Sequence, residues 1–172
     1  MMKKSKKIIL ELMLPVILCW FLMSLFVDIF TIPTVFRNSR VIEDAGKIGM
    51  TVFGRFNLFE LFFSTTLLAG ALLSFPSRKI FYFALPLFTL SLLYFFYMTP
   101  MIASITQVMH TTAQADPHYL YLQGQHARFH QLYRSFEMAK LIVLLILFVT
   151  VLVDKVRAPQ KNSPENSQEE RP

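Results

Sequence analysis

Residues 46–75 read GKIGMTVFGRFNLFELFFSTTLLAGALLSF, an apolar run long enough to cross a bilayer that carries Arg55, Asn57 and Glu60 near one end. Between Phe53 and Leu73, eleven Leu or Phe residues contribute about −3 to −7 kcal/mol to insertion, whereas an arginine and an acid each cost up to ~3 kcal/mol at the bilayer centre. Such a helix is marginal on its own. Partners for its charges on neighbouring helices would remove the deficit, so the stretch predicts a membrane bundle held together by buried polar contacts.

Composition agrees with that class. Hydrophobic residues fill 54% of the 172 positions and phenylalanine alone accounts for 18, more than a single soluble core of this length uses. The net charge of +6 comes from residues at the chain start, between the apolar runs and after the last one. With no continuous basic helix, these read as topology signals and phospholipid contacts, and nucleic acid is not an expected partner. The single cysteine, Cys19, lies inside the first run and excludes an intrachain disulfide framework or a Cys-based zinc site. Leu18 before it is bulky where a lipoprotein box has a small residue. No Walker loop, GxSxG, HExxH or Rossmann glycine pattern occurs, so neither an enzyme activity nor a cofactor is expected.

Working outward from the opening stretch, three further apolar runs complete an all-α, integral membrane bundle of four transmembrane helices over residues 8–154. A basic segment, MMKKSKK at 1–7, precedes helix one at about 8–32. That run far exceeds the roughly 7–15 residue apolar core of a signal peptide and ends without a small-x-small cleavage site, so it reads as an uncleaved signal anchor. Helix two, at about 46–73, follows Glu43 and Asp44, which suit a helix N-terminus. Helix three, at about 80–98, is free of charge and spans about 28 Å; Tyr94 and Tyr97 at its end suit an interfacial belt. Thr99 and Pro100 resemble a cap and first helical position, which predicts a short interfacial helix between helices three and four. Asp116 and Pro117 repeat that signal. The helical pattern after them is longer than a bilayer needs, so an extramembrane start or a break near Gly124 is expected before helix four at about 134–153. Residues 155–172 are expected to form a disordered tail.

Lys and Arg number ten on the side holding the N-terminus, the 74–79 turn and the tail, and five on the other (Arg37, Arg40, Lys47, Arg128, Arg134). Both termini are therefore predicted cytoplasmic, in the cell (inner) membrane if the source is bacterial.

In this topology Glu60 lies fifteen residues before Phe75 and Lys140 fourteen before Asp154, at nearly equal depth on two helices running the same way. Asp28, Arg55, Arg134 and Glu137 fall near that level, and the six charges sum to zero. Glu60 is predicted to face Lys140, with Asp28 or Glu137 facing Arg55. Asn57, Glu60 and Ser64 share a helix face, while Arg55 points about 140° away from Glu60 and has the alternative of snorkelling to the interface. His126, His130, Arg134 and Glu137 form a stripe on helix four. Gly46, Gly49, Gly54 and the Ala69-Gly70-Ala71 cluster would permit close helix packing.

A polar stripe of this kind is read in one of two ways: as a charge-neutral network that fixes helix register, or as an ion, proton or polar-substrate site. The cytoplasmic halves of helices two and four offer only Ser64, Thr65, Thr66 and Thr150 as polar side chains, so the polar region ends midway. His126 and His130, at i and i+4, have metal-ligand spacing on a helix. His110 and His118 lie in the preceding segment, but no Cys or acid lies near the pair in sequence apart from Asp116, and no metal site is assigned.

Pro33, Thr34, Val35 and Phe36 closing helix one, Ala45-Gly46-Lys47-Ile48 opening helix two with Phe53 following, Pro100 after helix three, and Phe129 with Leu132 before helix four form a pattern. It resembles the transmembrane protein 205-like domain, a four-helix membrane family, over residues 15 to about 150. The resemblance implies the four-helix topology and no substrate. Where that family tends to have Leu-His and then Asn seven positions on, this chain has Leu132-Tyr133 and Lys140. The expectation is a non-enzymatic multi-pass membrane protein that sits in the bilayer and acts through a membrane-protein partner or a second copy. The alternatives are a small ion-coupled carrier using Glu60 and Lys140, or a haem- or metal-binding redox protein.

Overall fold

The computed structural model describes residues 2–39, 42–74 and 78–157, with side chains over 11–39, 45–73 and 80–156. It is all-helical, with no strand among the described residues. Helix α1 (Met2–Leu25) passes through a π-helical segment, Phe26–Thr31, into α2 (Ile32–Asn38). Helix α3 is Ile42–Ser74, and α4 (Arg78–Leu93) passes through a second π-helical segment, Tyr94–Met98, into α5 (Thr99–Thr111). Helix α6, Pro117–Arg157, closes the bundle. The expected tail from residue 158 onward lies outside the described residues, as do the side chains of the N-terminal lysines, of Glu43 and Asp44, and of the 74–79 turn.

Four continuous helical stretches are long and apolar enough to cross a membrane: Glu11–Asn38, Ala45–Leu73, Ile80–Thr111 and Pro117–Val156. They pack as a ring in which α3 lies between α1 and α4, and α6 closes against α1, α4 and α5. One end of the bundle holds α2 and the α5–α6 connection; the other holds the start of α1 and the α3–α4 connection. Many large apolar side chains, Phe59, Phe62, Leu73, Tyr82 and Phe96 among them, stay more than half exposed. In lipid that surface needs no burial.

Several sequence-based boundaries change: helix one, expected to end at about 32, runs on through α2 to Asn38, and helix two, expected from about 46, begins at Ile42. The stretch expected as a separate interfacial helix is instead the direct continuation of helix three: Thr99 lies inside the helical path and makes no capping bond to its backbone. Helix four does not break near Gly124, and it takes in residues 155–157 of the expected tail. The cap signal at Asp116 does operate, its Oδ1 accepting the His118 amide at 2.8 Å. Hydropathy marks only the part of a helix that suits hydrocarbon. A 41-residue helix runs about 60 Å, twice the hydrocarbon thickness, and its polar start is still helical.

The two π-helical segments share a sequence cause. Pro33 and Pro100 each sit two residues past one, so the carbonyl four positions back (Ile29 or Phe96) lies within it. A proline ring clashes with that carbonyl and supplies no amide to it, and a widened turn accommodates both effects. Pro15 and Pro86 lie within regular α-helix, so proline alone does not make the turn. At Pro33 and Pro100 the widened turn also carries an inward polar side chain, Asp28 or Tyr94.

The interior is layered. Toward the α3–α4 end an apolar cluster joins Met13, Ile17, Leu67, Ala84, Leu144 and Leu147 with their neighbours. Toward the α5–α6 end Tyr94, Met98, Ile102 and Tyr133 form a smaller cluster backed by Phe53, Phe129 and Phe136. Between them lies a polar layer. The expected glycine contacts are uneven: a Cβ on Gly46 or Gly54 would meet nothing within 4 Å, while one on Gly70 would touch Met13 at 3.4 Å. Close packing is thus a property of Gly70 and, against Phe36 at 3.7 Å, of Gly49, rather than of the whole series.

Candidate functional site

The polar layer is assembled by helical spacing on every wall. Along the first span, Trp20 and Ser24 of α1 and Asp28 of the first π-helical segment recur every four residues. On α3, Asn57, Glu60 and Ser64 are fully buried, and on α6 Tyr133, Glu137 and Lys140 are buried. The segment from α4 into the second π-helical turn adds Ser91 and Tyr94, both buried.

Lys140 is the hub. Its ammonium donates to Glu60 Oε1 and to Glu137 Oε2, and the three side chains are almost wholly inaccessible. The same nitrogen lies 5.5 Å from the Phe56 ring centre and 5.6 Å from that of Tyr94, within cation–π range of both. Glu60 Oε1 also accepts the Trp20 indole N–H at 3.1 Å. Ser91 donates its hydroxyl to the Leu87 carbonyl at 3.0 Å, and the Glu60 carbonyl is 3.5 Å from it.

Above this hub, Asn57 donates through Nδ2 to Thr99 Oγ1 at 2.6 Å, and its Oδ1 accepts the Tyr133 hydroxyl at 3.3 Å. Tyr133 stacks on Tyr94 with ring centres 4.6 Å apart. Asp28, half-buried, and Tyr94 stand beside Glu137, close enough to interact yet outside hydrogen-bond geometry. Among the described residues, five buried oxygens have no hydrogen-bond partner: Ser24 Oγ, Asp28 Oδ2, Glu60 Oε2, Tyr94 OH and Glu137 Oε1. All belong to this layer.

The predicted Glu60–Lys140 pair is present, and Asn57 and Glu137 join the same network. The predicted partner for Arg55 is not: Arg55 is exposed, and Glu137 takes Lys140 instead. Arg134 is likewise exposed. It lies six residues before Lys140, about 120° round the helix, so the predicted stripe of His126, His130, Arg134 and Glu137 divides. Only Glu137 turns inward. His130 and Arg134 line a surface groove with Ala127, Gln131, Ser135 and Met138. The neutral set of six charges therefore reduces to three carboxyls, Asp28, Glu60 and Glu137, around one ammonium.

Trp20, Ser24, Ser91, Tyr94 and Tyr133 were not among the expected site residues. Tyr94 suited an interfacial belt and is instead fully buried, while Tyr97 is exposed. The available signals were the position of the only tryptophan in mid-run, where an interfacial residue is out of place, and the four-residue repeat Trp20, Ser24, Asp28. His126 and His130 approach to 4.4 Å between ring centres. No group of three His, Cys, Asp or Glu side chains able to hold a metal occurs among the described residues. Comparison with protein-family models, curated proteins and solved structures finds no match for this chain.

Proposed function

We propose that this chain is a small, non-enzymatic, ion-coupled membrane carrier whose buried carboxyl–lysine layer binds and releases a proton. The observation that carries the reading is the imbalance of two buried carboxyls, Glu60 and Glu137, and a half-buried third, Asp28, against one buried ammonium, in a layer where five oxygens of the described residues lack hydrogen-bond partners. A network serving only to fix helix register gains most when it is neutral and fully satisfied. Three carboxyls around one lysine reach neutrality only by holding two protons, so a change in their surroundings moves protons on or off. With both termini cytoplasmic, as the lysine and arginine distribution implies, the α5–α6 end faces outward.

A second reading has one observation in its favour: Lys140 is fully enclosed by Glu60, Glu137, Phe56 and Tyr94, as in a purely structural hub. In that case the chain acts through a partner or a second copy. The resemblance to the transmembrane protein 205-like domain, itself part of this proposal, is compatible with both.

Infrared difference spectroscopy of the purified full chain in lipid nanodiscs separates them. The proton-binding reading expects a protonated-carboxyl band near neutral pH that is lost on alkalinisation and reduced in Glu60→Gln or Glu137→Gln. Absence of any protonated-carboxyl band over the range in which the protein stays folded would leave the structural reading standing.

A further inference from the structure

We infer that the polar layer communicates with water only through the α5–α6 end, over Asn57, Tyr133 and Tyr94, and that the α3–α4 end is a dry seal. The route deepens the proton-binding reading and rests on it for its purpose, though its geometry stands separately.

Both sides of Lys140 carry buried apolar side chains, but only the α5–α6 side, among Met98, Ile102, Phe53 and Phe129, also carries a line of polar groups. Toward the α5–α6 end, half-buried Thr99 leads through hydrogen bonds to buried Asn57 and then to the Tyr133 hydroxyl. The stacked Tyr94 ring follows, with its hydroxyl beside Glu137. Each hydroxyl on this path has the capacity both to donate and to accept, and that of Tyr94 makes no hydrogen bond. After a small side-chain rotation Tyr94 can give its proton to a Glu137 carboxylate oxygen and take one from a water behind it, the Tyr133 proton being held by Asn57 Oδ1. Glu137 then gains one proton and Tyr94 ends unchanged. An amide relays protons poorly, so Asn57 is a positioning residue: its Oδ1 fixes the Tyr133 hydroxyl and its Nδ2 ties it to Thr99.

Toward the α3–α4 end the Trp20 indole covers Glu60, and beyond it Ile17, Leu67, Ala84, Leu144 and Leu147 are fully or almost fully buried against one another. Ser64, the buried hydroxyl next along α3, donates to its own helix at the Leu61 carbonyl, 3.1 Å away. No polar step continues from it among the described residues.

Two measurements on the full chain test the route and keep it distinct from proton binding. In a Cys19→Ser background, Asn57→Cys is expected to react with a small, charged thiosulfonate reagent added to proteoliposomes, and Leu144→Cys to remain unlabelled. This reads access whether or not any carboxyl is protonated. Equal labelling, or labelling of Leu144→Cys alone, would overturn the inference. The second measurement follows hydrogen–deuterium exchange of the carboxyl band after transfer to heavy water. Tyr94→Phe is expected to slow exchange about 100-fold, the lower end of what a positioned proton-transfer group contributes, with band amplitude unchanged. Exchange at the wild-type rate would remove Tyr94 from the route. A chain with no carboxyl band but labelled Asn57→Cys would retain the access path and lose the proton-binding reading.

Discussion

Replacing Lys140 with methionine, which is close in length and apolar, removes the sole ammonium from a layer that keeps its three carboxyls. Glu60 and Glu137 each lose a charge-assisted hydrogen bond in a region with almost no solvent exposure. Breaking a buried pair from one side costs about 3–5 kcal/mol, a large part of the ~5–15 kcal/mol that holds a typical domain. Glu60→Gln should cost less, about 1–3 kcal/mol, because Lys140 keeps Glu137 and the glutamine can still accept the Trp20 N–H. The triple variant Lys140→Met, Glu60→Gln, Glu137→Gln removes both the ammonium and its two partners, and should recover most of the loss of the single lysine change. Unfolding in bicelles, followed by trapping of the unfolded state, gives all three values on one scale. A cost for Lys140→Met below about 1 kcal/mol, the range of exposed pairs, would refute the reasoning. So would a triple variant less stable than Lys140→Met alone, since the damage could not then be stranded carboxylates.

Two further outcomes follow from the placement of side chains. Arg55→Ala and Arg134→Ala, both at exposed positions, should each change stability by no more than about 0.5 kcal/mol and leave the carboxyl band untouched; a loss near that of Lys140→Met would return them to the network. Pro100→Ala removes the ring beneath the second π-helical turn and lets it regularise. The register between α4 and α5 would then move by one residue, about 100°, so that Tyr94 and Ile102 could no longer both be buried. A diminished near-ultraviolet dichroism signal from the Tyr94–Tyr133 stack, with a stability loss of about 1–3 kcal/mol, is expected. An unchanged signal would show that the turn does not depend on the proline.

The four spans and the Glu60–Lys140 pair were legible because both rest on simple periodicities: hydropathy over a bilayer thickness and equal depth on two helices running the same way. The depth count could not give azimuth. Arg55 and Arg134 lie near the right level but on the wrong faces, and the face of α6 is set by Tyr133, Glu137, Lys140 and Leu144 together rather than by any pair. Helix ends beyond the hydrocarbon were illegible to hydropathy, hence the displaced boundary at Thr99. The π-helical turns break the 3.6-residue rule from which faces are read. Hydropathy ends the run just past Tyr94 and so suits it to the interface, yet the widened turn at that point directs it to the centre.

The hydrogen bond from Trp20 to Glu60 has an experimental consequence. Since the chain contains only one tryptophan, and its indole nitrogen touches the carboxylate that Lys140 binds, the protein carries a native optical probe at the heart of its charged layer. Indole emission responds to a neighbouring charge and to the strength of the bond its N–H makes. Any ligand, titration or rearrangement that alters Glu60 should therefore register in the intrinsic fluorescence of the unlabelled protein.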